Sequence, residues 1–437
     1  MFYFLIIIFA VCFLFLGWRQ PRWGLYLILA LLPSYLIRFQ LGGVPMTLLE
    51  LMILLLFVVW FIKSIFQPEI RPHSKFAGAA MLILLIATVS MFLAPDLIRA
   101  AGIWKAYFLE AFLFFVVFSG VIKSSADIKG VIKALGVGVL LVSIFAIIQK
   151  LAGGWLVPID YWLRGEGPRV TSFYGYPNAI GLFVAPVVML HIGWLYNLIS
   201  DFRFPISDFK KSEIRNQKLL ELVFLSLVII CGMLAIYWAR SEGAIIALII
   251  GLIVFGLFVK KTRWITAGVI LVAVILMLVL GLPSVIGEKI TFSDWSGQVR
   301  LTMWGETWQL IKDNWLVGVG LTGYQNALVP YHQADYLEIF LYPHNFVLNF
   351  WVELGLAGLV VFLYLIFKFF YYGIRFINQK SEIRNQKLLV ATLIAVMMVI
   401  LVHGLVDVPY FKNDLAILWW VIFGLMSVLT YGKEDFN

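Results

Sequence analysis

Pro343-His344-Asn345-Phe346 is the stretch of this sequence most specific for chemistry. His344 stands where a long segment rich in aromatic and turn residues gives way to an apolar run continuing beyond Gly358. Asn345, or His344 itself, can cap the helix that starts there. A helix N-terminus disfavours an imidazolium, which keeps the ring neutral and usable as a base. Gly355 and Gly358, three apart on one helical face, would let a neighbouring helix approach closely. The bland alternative is an interfacial histidine that only caps a helix, since polar residues are common at interfaces.

Three arginines form a second set. Arg169 lies in GPRVTSFYGYPN, where Asn178 is about to enter the next apolar run. Arg240 follows Tyr237-Trp238-Ala239 and opens RSEGA in a tight hairpin between two runs, and Arg300 opens Arg300-Leu301-Thr302-Met303-Trp304. A guanidinium is permanently charged and grips phosphate oxygens through its planar fork. These residues suit an anionic ligand, or, taken singly, snorkelling to lipid phosphates. A third set lies inside apolar runs: Lys105, Glu110, Glu353, and His403 with Asp407. Spaced i,i+4, His403 and Asp407 are expected to share a helix face. Ionisable groups within a membrane default to function. A buried pair holding helices together is the competing reading, preferred for Glu110 and left level with function for His403 and Asp407.

Other patterns carry less. Gly318-Val319-Gly320-Leu321-Thr322-Gly323 matches a dinucleotide fingerprint, but no βαβ unit surrounds it, so a flexible loop closing over the site is expected instead. The five histidines, His73, His191, His332, His344 and His403, show no metal-ligand spacing, and no Asp-x-Asp pair is present to hold a metal-bound nucleotide sugar. The sequence therefore suggests neither a metal nor a cofactor, and arginines would have to offset the charge of any diphosphate.

The elements that must position these residues follow from composition. Of 437 residues 62% are apolar and 13% charged, with a mean hydropathy of +0.97, against about 25% charge in soluble domains. Apolar runs lie near 2–17, 24–37, 46–62, 76–93, 100–120, 131–149, 180–199, 219–238, 243–259, 264–282, 345–372, 388–406 and 415–431. They predict an all-α polytopic transmembrane bundle of 12–13 helices, the second run being short for a ~30 Å core. Continuous rather than alternating runs exclude a β-barrel, and Cys12 and Cys231, both in apolar runs, exclude a disulfide scaffold.

If the loops near 18–23, 63–75, 121–130, 200–218, 260–263, 373–387 and the C-terminus are cytoplasmic, that side holds 22 of the 33 Lys and Arg. The net charge of +9 is then mostly topological, and nucleic acid is not implied. The first run, with Arg19 and Arg22 after it, reads as an uncleaved anchor with its N-terminus outside. A single membrane domain is expected over 1–437: N-terminal helices 1–150, a first outer loop 151–179, central helices 180–282, a large outer loop 283–343 and C-terminal helices 344–437. The two outer loops suit interfacial or re-entrant segments over the mouth of the bundle. Lys211–Leu220 and Lys380–Leu389 are the same ten letters, both expected as basic inner-face anchors.

Arg300, Trp304, Gly318 and Gly320, then His344-Asn345, nine residues and Gly355-Leu356-Ala357-Gly358, resemble the C-terminal signature of the bacterial O-antigen ligase/polymerase family of GT-C-like polytopic glycosyltransferases. RVTSFYGYPNAIG and RSEGA look like two upstream family segments, with Ser172, Tyr176, Glu242 and Ala244 departing from the commonest letters, and HGLVD at 403–407 also looks familial. The resemblance spans about 165–410. It implies transfer of a glycan from an undecaprenyl-diphosphate carrier at the periplasmic face of the inner membrane. The acceptor would be the lipid A core (ligase) or another carrier-linked glycan (polymerase). In that reading His344 takes the acceptor proton while Arg240 and Arg300 hold the leaving diphosphate. Arg169, Asn178, Asn345, His403 and Asp407 would bind substrate, and the transfer is metal-independent and inverting. The rival from another class is a transporter for a lipid-linked or anionic solute, against which the lack of paired broken helices counts.

Overall fold

The computed structural model describes residues 1–154, 157–163, 167–200, 212–279, 291–334, 337–379 and 384–431. Helix α1 (Phe2–Arg19) passes through Gln20 into α2 (Pro21–Ala30), whose leading proline sits where a missing N–H costs nothing. The second apolar run is not one full helix: α2 stops before a 3-10 turn over Leu32–Leu36, where Pro33 cannot continue the α-helical hydrogen bonds. A small antiparallel hairpin, β1 (Arg38–Leu41) and β2 (Val44–Thr47), pairs Arg38 with Thr47 and Leu41 with Val44. Helix α3 (Leu48–Phe66) opens on a Thr47–Glu50 capping box.

Then come α4 (Ala77–Phe92), α5 (Leu97–Val121), α6 (Ser125–Leu151), the short α7 (Ile159–Leu163), α8 (Asn178–Ser200), α9 (Ser212–Ala239), α10 (Glu242–Phe258) and α11 (Arg263–Val279). The chain closes with α12 (Trp295–Asn314), α13 (Tyr324–Leu328), α14 (Phe346–Asn378), α15 (Arg384–Gly404) and α16 (Asn413–Thr430).

By length and composition, nine helices among the described residues can cross a membrane, and α4, α10 and the start of α11 are shorter apolar helices. With α2 this matches the all-α bundle of 12–13 helices read from the apolar runs. Burial orders them from centre to edge. In α16, 89% of the apolar window is buried, whereas in α1 only 11% is. Phe4, Val11 and Phe15 on α1 are at least 60% exposed. Such a surface is costly in water and ordinary against lipid tails, which are as apolar as the side chains themselves. Inside, α10 packs along α15, and α8 packs against both α9 and α15.

Connections sort onto two ends of the bundle. At one end Lys75 Nζ donates to the Thr430 carbonyl, Trp60 Nε1 to the Ile70 carbonyl and Tyr26 Oη to the Asp127 carbonyl, all near expected inner loops. At the other end Lys105 Nζ reaches the Pro45 carbonyl and Glu50 Oε2, at 3.0 and 3.3 Å, tying α5 to α3 and the hairpin. Glu110 lies buried beside Glu50, so the helix-joining reading fits this group. The first outer loop is tucked in rather than draped. Gln149 binds both N–H groups of Thr171 and Ser172 and the Ser172 carbonyl, and all three residues are fully buried. Of the duplicated decapeptide, Lys211 and residues 380–383 lie outside the described residues, and the remainder of each copy opens α9 or α15.

Candidate active site

Helix α15 ends at Gly404, and the turn 405–412 that follows carries Asp407 back toward His344. His344 Nδ1 lies 3.3 Å from Asp407 Oδ1, which also accepts the Val408 N–H at 2.9 Å. With Nδ1 protonated and donating to the carboxylate, Nε2 is left with its lone pair. Asp407 is 2% exposed, whereas the His344 side chain is 33% exposed, so a buried carboxylate anchors a partly exposed imidazole. Burial acts to raise the Asp407 carboxyl, but the hydrogen bond from His344, the charge of His344 and His403 and the Val408 N–H outweigh it, holding the carboxyl below its ordinary value.

His344 has φ +44°, a left-handed backbone that disfavours a residue with a side chain. Three contacts hold the segment in place. Asn345 caps α14 by accepting from the Val347 and Leu348 N–H groups, both at 3.1 Å. Its Nδ2 donates to the Leu405 carbonyl, and Trp304 Nε1 donates to the Pro343 carbonyl at 2.9 Å. Asn345, expected to contact substrate, is thus the N-cap and a tie to the Asp407 turn.

The arginines stand on neighbouring backbone. Arg300 Nε donates to the Val406 carbonyl at 3.3 Å and Nη1 to Ser296 Oγ at 2.5 Å. Nη2 has no protein acceptor among the described residues. Arg169 Nε donates to the Ala239 carbonyl at 2.9 Å, while Nη2 reaches Asn178 Oδ1 at 3.2 Å and the Arg240 carbonyl at 3.5 Å. Asn178 therefore holds Arg169. Burial lowers the Arg169 guanidinium and Arg240 adds to that, with Tyr161 and Glu242 opposing, and a guanidinium remains charged throughout. Arg240 also has a left-handed backbone, φ +51°, in the hairpin between α9 and α10. At the second residue of α10, Gly243 packs directly on His403 and Val406, where a Cβ would come within 3.0 Å of both. The Arg169–Asn178–Arg240 group and the Arg300–His344–Asp407 group are thus joined through residues 403–407.

Two expectations are corrected. The helix ends before Asp407, so His403 and Asp407 do not share a helix face. Asp407 pairs with His344 instead, while His403, 3% exposed, has no partner for Nδ1 among the described residues. Nor is the Gly318–Gly323 segment a free flap. Gly355 breaks α14 with φ +69°, and the 316–319 segment enters the break: the Val319 N–H donates to the Val352 carbonyl at 2.7 Å and Leu356 N–H to the Leu316 carbonyl at 3.1 Å. A Cβ on Gly318 would lie 2.6 Å from the Val352 carbonyl, and one on Gly355 would collide with the Leu316 carbonyl. What approaches Gly355 is a loop rather than a helix. At Gly358 a Cβ would first meet Leu354 of the same helix.

Sequence reasoning passed over Lys412, at the far end of the turn that carries Asp407. Its Nζ lies over the Tyr174, Tyr176 and Tyr35 rings at 4.4, 5.0 and 5.4 Å. The available signal was its place among the eleven basic residues left over by the topology. Among the described residues no three His, Cys, Asp or Glu side chains group as metal ligands.

Comparison with known proteins covers the same ground. Residues 226–363 match the O-antigen ligase family model, an interval holding Arg240, Arg300, His344 and Asn345. The O-antigen ligase of Salmonella typhimurium strain LT2 is 24% identical over 363 residues, covering 79% of this chain and 81% of that protein. The family-model match, the likeness over about four-fifths of both chains and the H-N-x9-G-x-x-G spacing all support a relation to the O-antigen ligase/polymerase family.

Proposed function

We propose that this membrane glycosyltransferase moves a glycan from an undecaprenyl-diphosphate carrier to an acceptor sugar hydroxyl, at the periplasmic face of a bacterial inner membrane. The observation that supports the reading is the His344–Asp407 pair, with the His344 side chain a third exposed and Arg300 bonded to the neighbouring Val406 carbonyl. Nε2 takes the acceptor hydroxyl proton as the oxygen attacks the anomeric carbon. The bond from that carbon to the diphosphate oxygen breaks, and the electron pair leaves with the diphosphate. Arg300 and Arg240 offset the charge that develops there, Arg169 and Asn178 shaping the same side. Attack opposite the leaving group inverts the anomeric centre, and the arginines stand in for a metal. His403 and Asp407 support the base rather than touch substrate. A ligase acting on the lipid A core is favoured over a polymerase, because the likeness to an O-antigen ligase runs over most of both chains.

The test is transfer by purified protein from carrier-linked donor, with rough lipopolysaccharide and carrier-linked repeat offered separately as acceptors, with and without EDTA. His344→Ala is expected to lose at least about 100-fold in rate. Wild-type rate in that variant removes the base, and loss of activity on chelation removes the metal-free reaction. Extension of the carrier-linked repeat alone would make the protein a polymerase. Lys at 240 and 300 keeps charge and loses the fork, so unaffected double substitution would refute bidentate grip of the diphosphate.

A further inference from the structure

Lys412 and the tyrosines around it have no part in the transfer chemistry proposed above. Its ammonium is ringed by the faces of Tyr35, Tyr174 and Tyr176, yet no hydrogen-bond or ion-pair partner for Nζ stands among the described residues. Burial lowers its pKa, with Asp414 and Asp407 opposing. Tyr176 is 37% exposed, and Lys412 and Tyr342 are half-buried, although burial dominates the raised hydroxyls of both tyrosines. Lys412, Tyr176 and Tyr342 are thus partly reachable from outside while remaining packed among one another's neighbours. Tyr107, half-buried on α5, lies beside Tyr342 and near Tyr176. Tyr174 Oη donates to Asp414 Oδ2 at 3.4 Å, which fixes one wall.

The position relative to the base is set by two short pieces of chain. Tyr342 precedes His344 by two residues, and Lys412 follows Asp407 by five. The turn 405–412 therefore presents Asp407 to His344 at one end and Lys412 to the tyrosines at the other. Arg300 is bonded at the first end, through Val406. Tyrosine offers an apolar face to the C–H side of a pyranose and a hydroxyl to its edge. An ammonium with unused donors, partly stripped of water, calls for an anionic oxygen.

Resting on the glycosyl-transfer reading, we propose that Lys412 and the tyrosines Tyr107, Tyr176 and Tyr342 form the acceptor subsite, which takes a sugar carrying a phosphate or carboxylate. The donor diphosphate is left to the arginines. The subsite holds the nucleophilic hydroxyl near Nε2 of His344 by fixing the charged substituent at Lys412.

The experiment is steady-state transfer with rough lipopolysaccharide and with carrier-linked repeat, using whichever of the two the wild-type protein extends. Lys412→Met and Tyr176→Ala should each raise the acceptor KM about tenfold, the worth of one charge-assisted contact, and leave the donor KM within about twofold. Lys412→Arg, which keeps the charge, should recover most of the loss. Acceptor KM values within twofold of wild type in both variants overturn the subsite, as does a rise in donor KM instead. Wild-type protein extending neither acceptor overturns the glycosyl-transfer reading and this one with it. Tyr176 is partly exposed, so its variant separates lost binding from lost folding.

Discussion

Asp407→Asn is the perturbation that most directly asks whether the buried carboxylate works through His344. The two side chains keep their shape and the 3.3 Å contact can persist, but the negative charge facing the imidazole is gone. As the base takes up its proton it becomes an imidazolium beside that charge. Unit charges 3.3 Å apart attract by about 5 kcal/mol at an effective dielectric of ~20. A third of the His344 side chain is exposed, and solvent there reduces the attraction. A loss of about 3–4 kcal/mol in the transition state remains, which is roughly 100- to 1000-fold in kcat. Because Asp407 is buried away from substrate, donor and acceptor KM should change little. Initial rates of transfer from carrier-linked donor, fitted for both substrates, read this directly. The sharper measurement is a double-mutant comparison. If Asp407 acts only through the ring, His344→Ala with Asp407→Asn is no slower than His344→Ala alone. Additive losses would refute the pairing and send Asp407 to another partner, as would an Asp407→Asn rate within threefold of wild type.

Gly355→Ala should destabilise the protein by about 2–4 kcal/mol, from a left-handed backbone and collision with the inserted loop, measured as a lowered unfolding midpoint in detergent; an unchanged midpoint would show that the 316–319 wedge is dispensable. Lys412→Met carries a signed pH prediction. A lysine with its pKa lowered by folding binds fewer protons folded than unfolded, so it penalises stability below the folded pKa, and the penalty fades as pH rises toward the ordinary lysine value of about 10.4. The variant should therefore unfold no lower than wild type at pH 7, with any advantage shrinking in alkali, whereas a clearly lower midpoint at pH 7 would show the ammonium to be a net structural tie. Asp407 has the opposite sign. Its contribution is present above the ordinary carboxylate value and is lost only as pH falls through the depressed folded value, so thermal scans should keep that contribution down to about pH 4.

What was legible in the sequence divides along the range of the forces involved. Apolar runs and the distribution of Lys and Arg are local signals, and they located the helices and the two ends of the bundle. Asn345 was legible as a cap for the same reason, because its partners Val347 and Leu348 are two and three residues away. The exception, α2, fails over a single residue, Pro33, whose local veto outranks the hydropathy around it. Asp407 shows the limit. Spacing of four from His403 is a helical argument, and it holds only while the helix continues. Gly404 ends it where Phe346 crosses, since a Cβ there would lie 2.5 Å from that ring. The partner Asp407 finds is 63 residues earlier in the chain, a distance no periodicity encodes.

The same long-range closure explains why the two glycine patterns looked like different things. Gly318 was read as part of a flap and Gly355 as part of a helix-packing face, yet each is required by the other. The loop needs a gap in α14 to donate its Val319 N–H, and the gap needs the loop to satisfy the Val352 carbonyl that the broken helix leaves open. This clasp, at Gly355, lies eleven residues beyond His344, and it fixes α12 and its Arg300 to the helix that His344 precedes. The spacing H-N-x9-G-x-x-G is then a distance rather than a code: about three helical turns separate the cap beside His344 from the point where the loop that follows the arginine-bearing α12 is pinned. Reduced to that, the strained φ values at His344 and Arg240 have a common setting. Each residue sits where the chain turns between two segments, and each is held there by hydrogen bonds of its own as well as by those of its neighbours: His344 to Asp407, and the Arg240 N–H to the Tyr237 carbonyl.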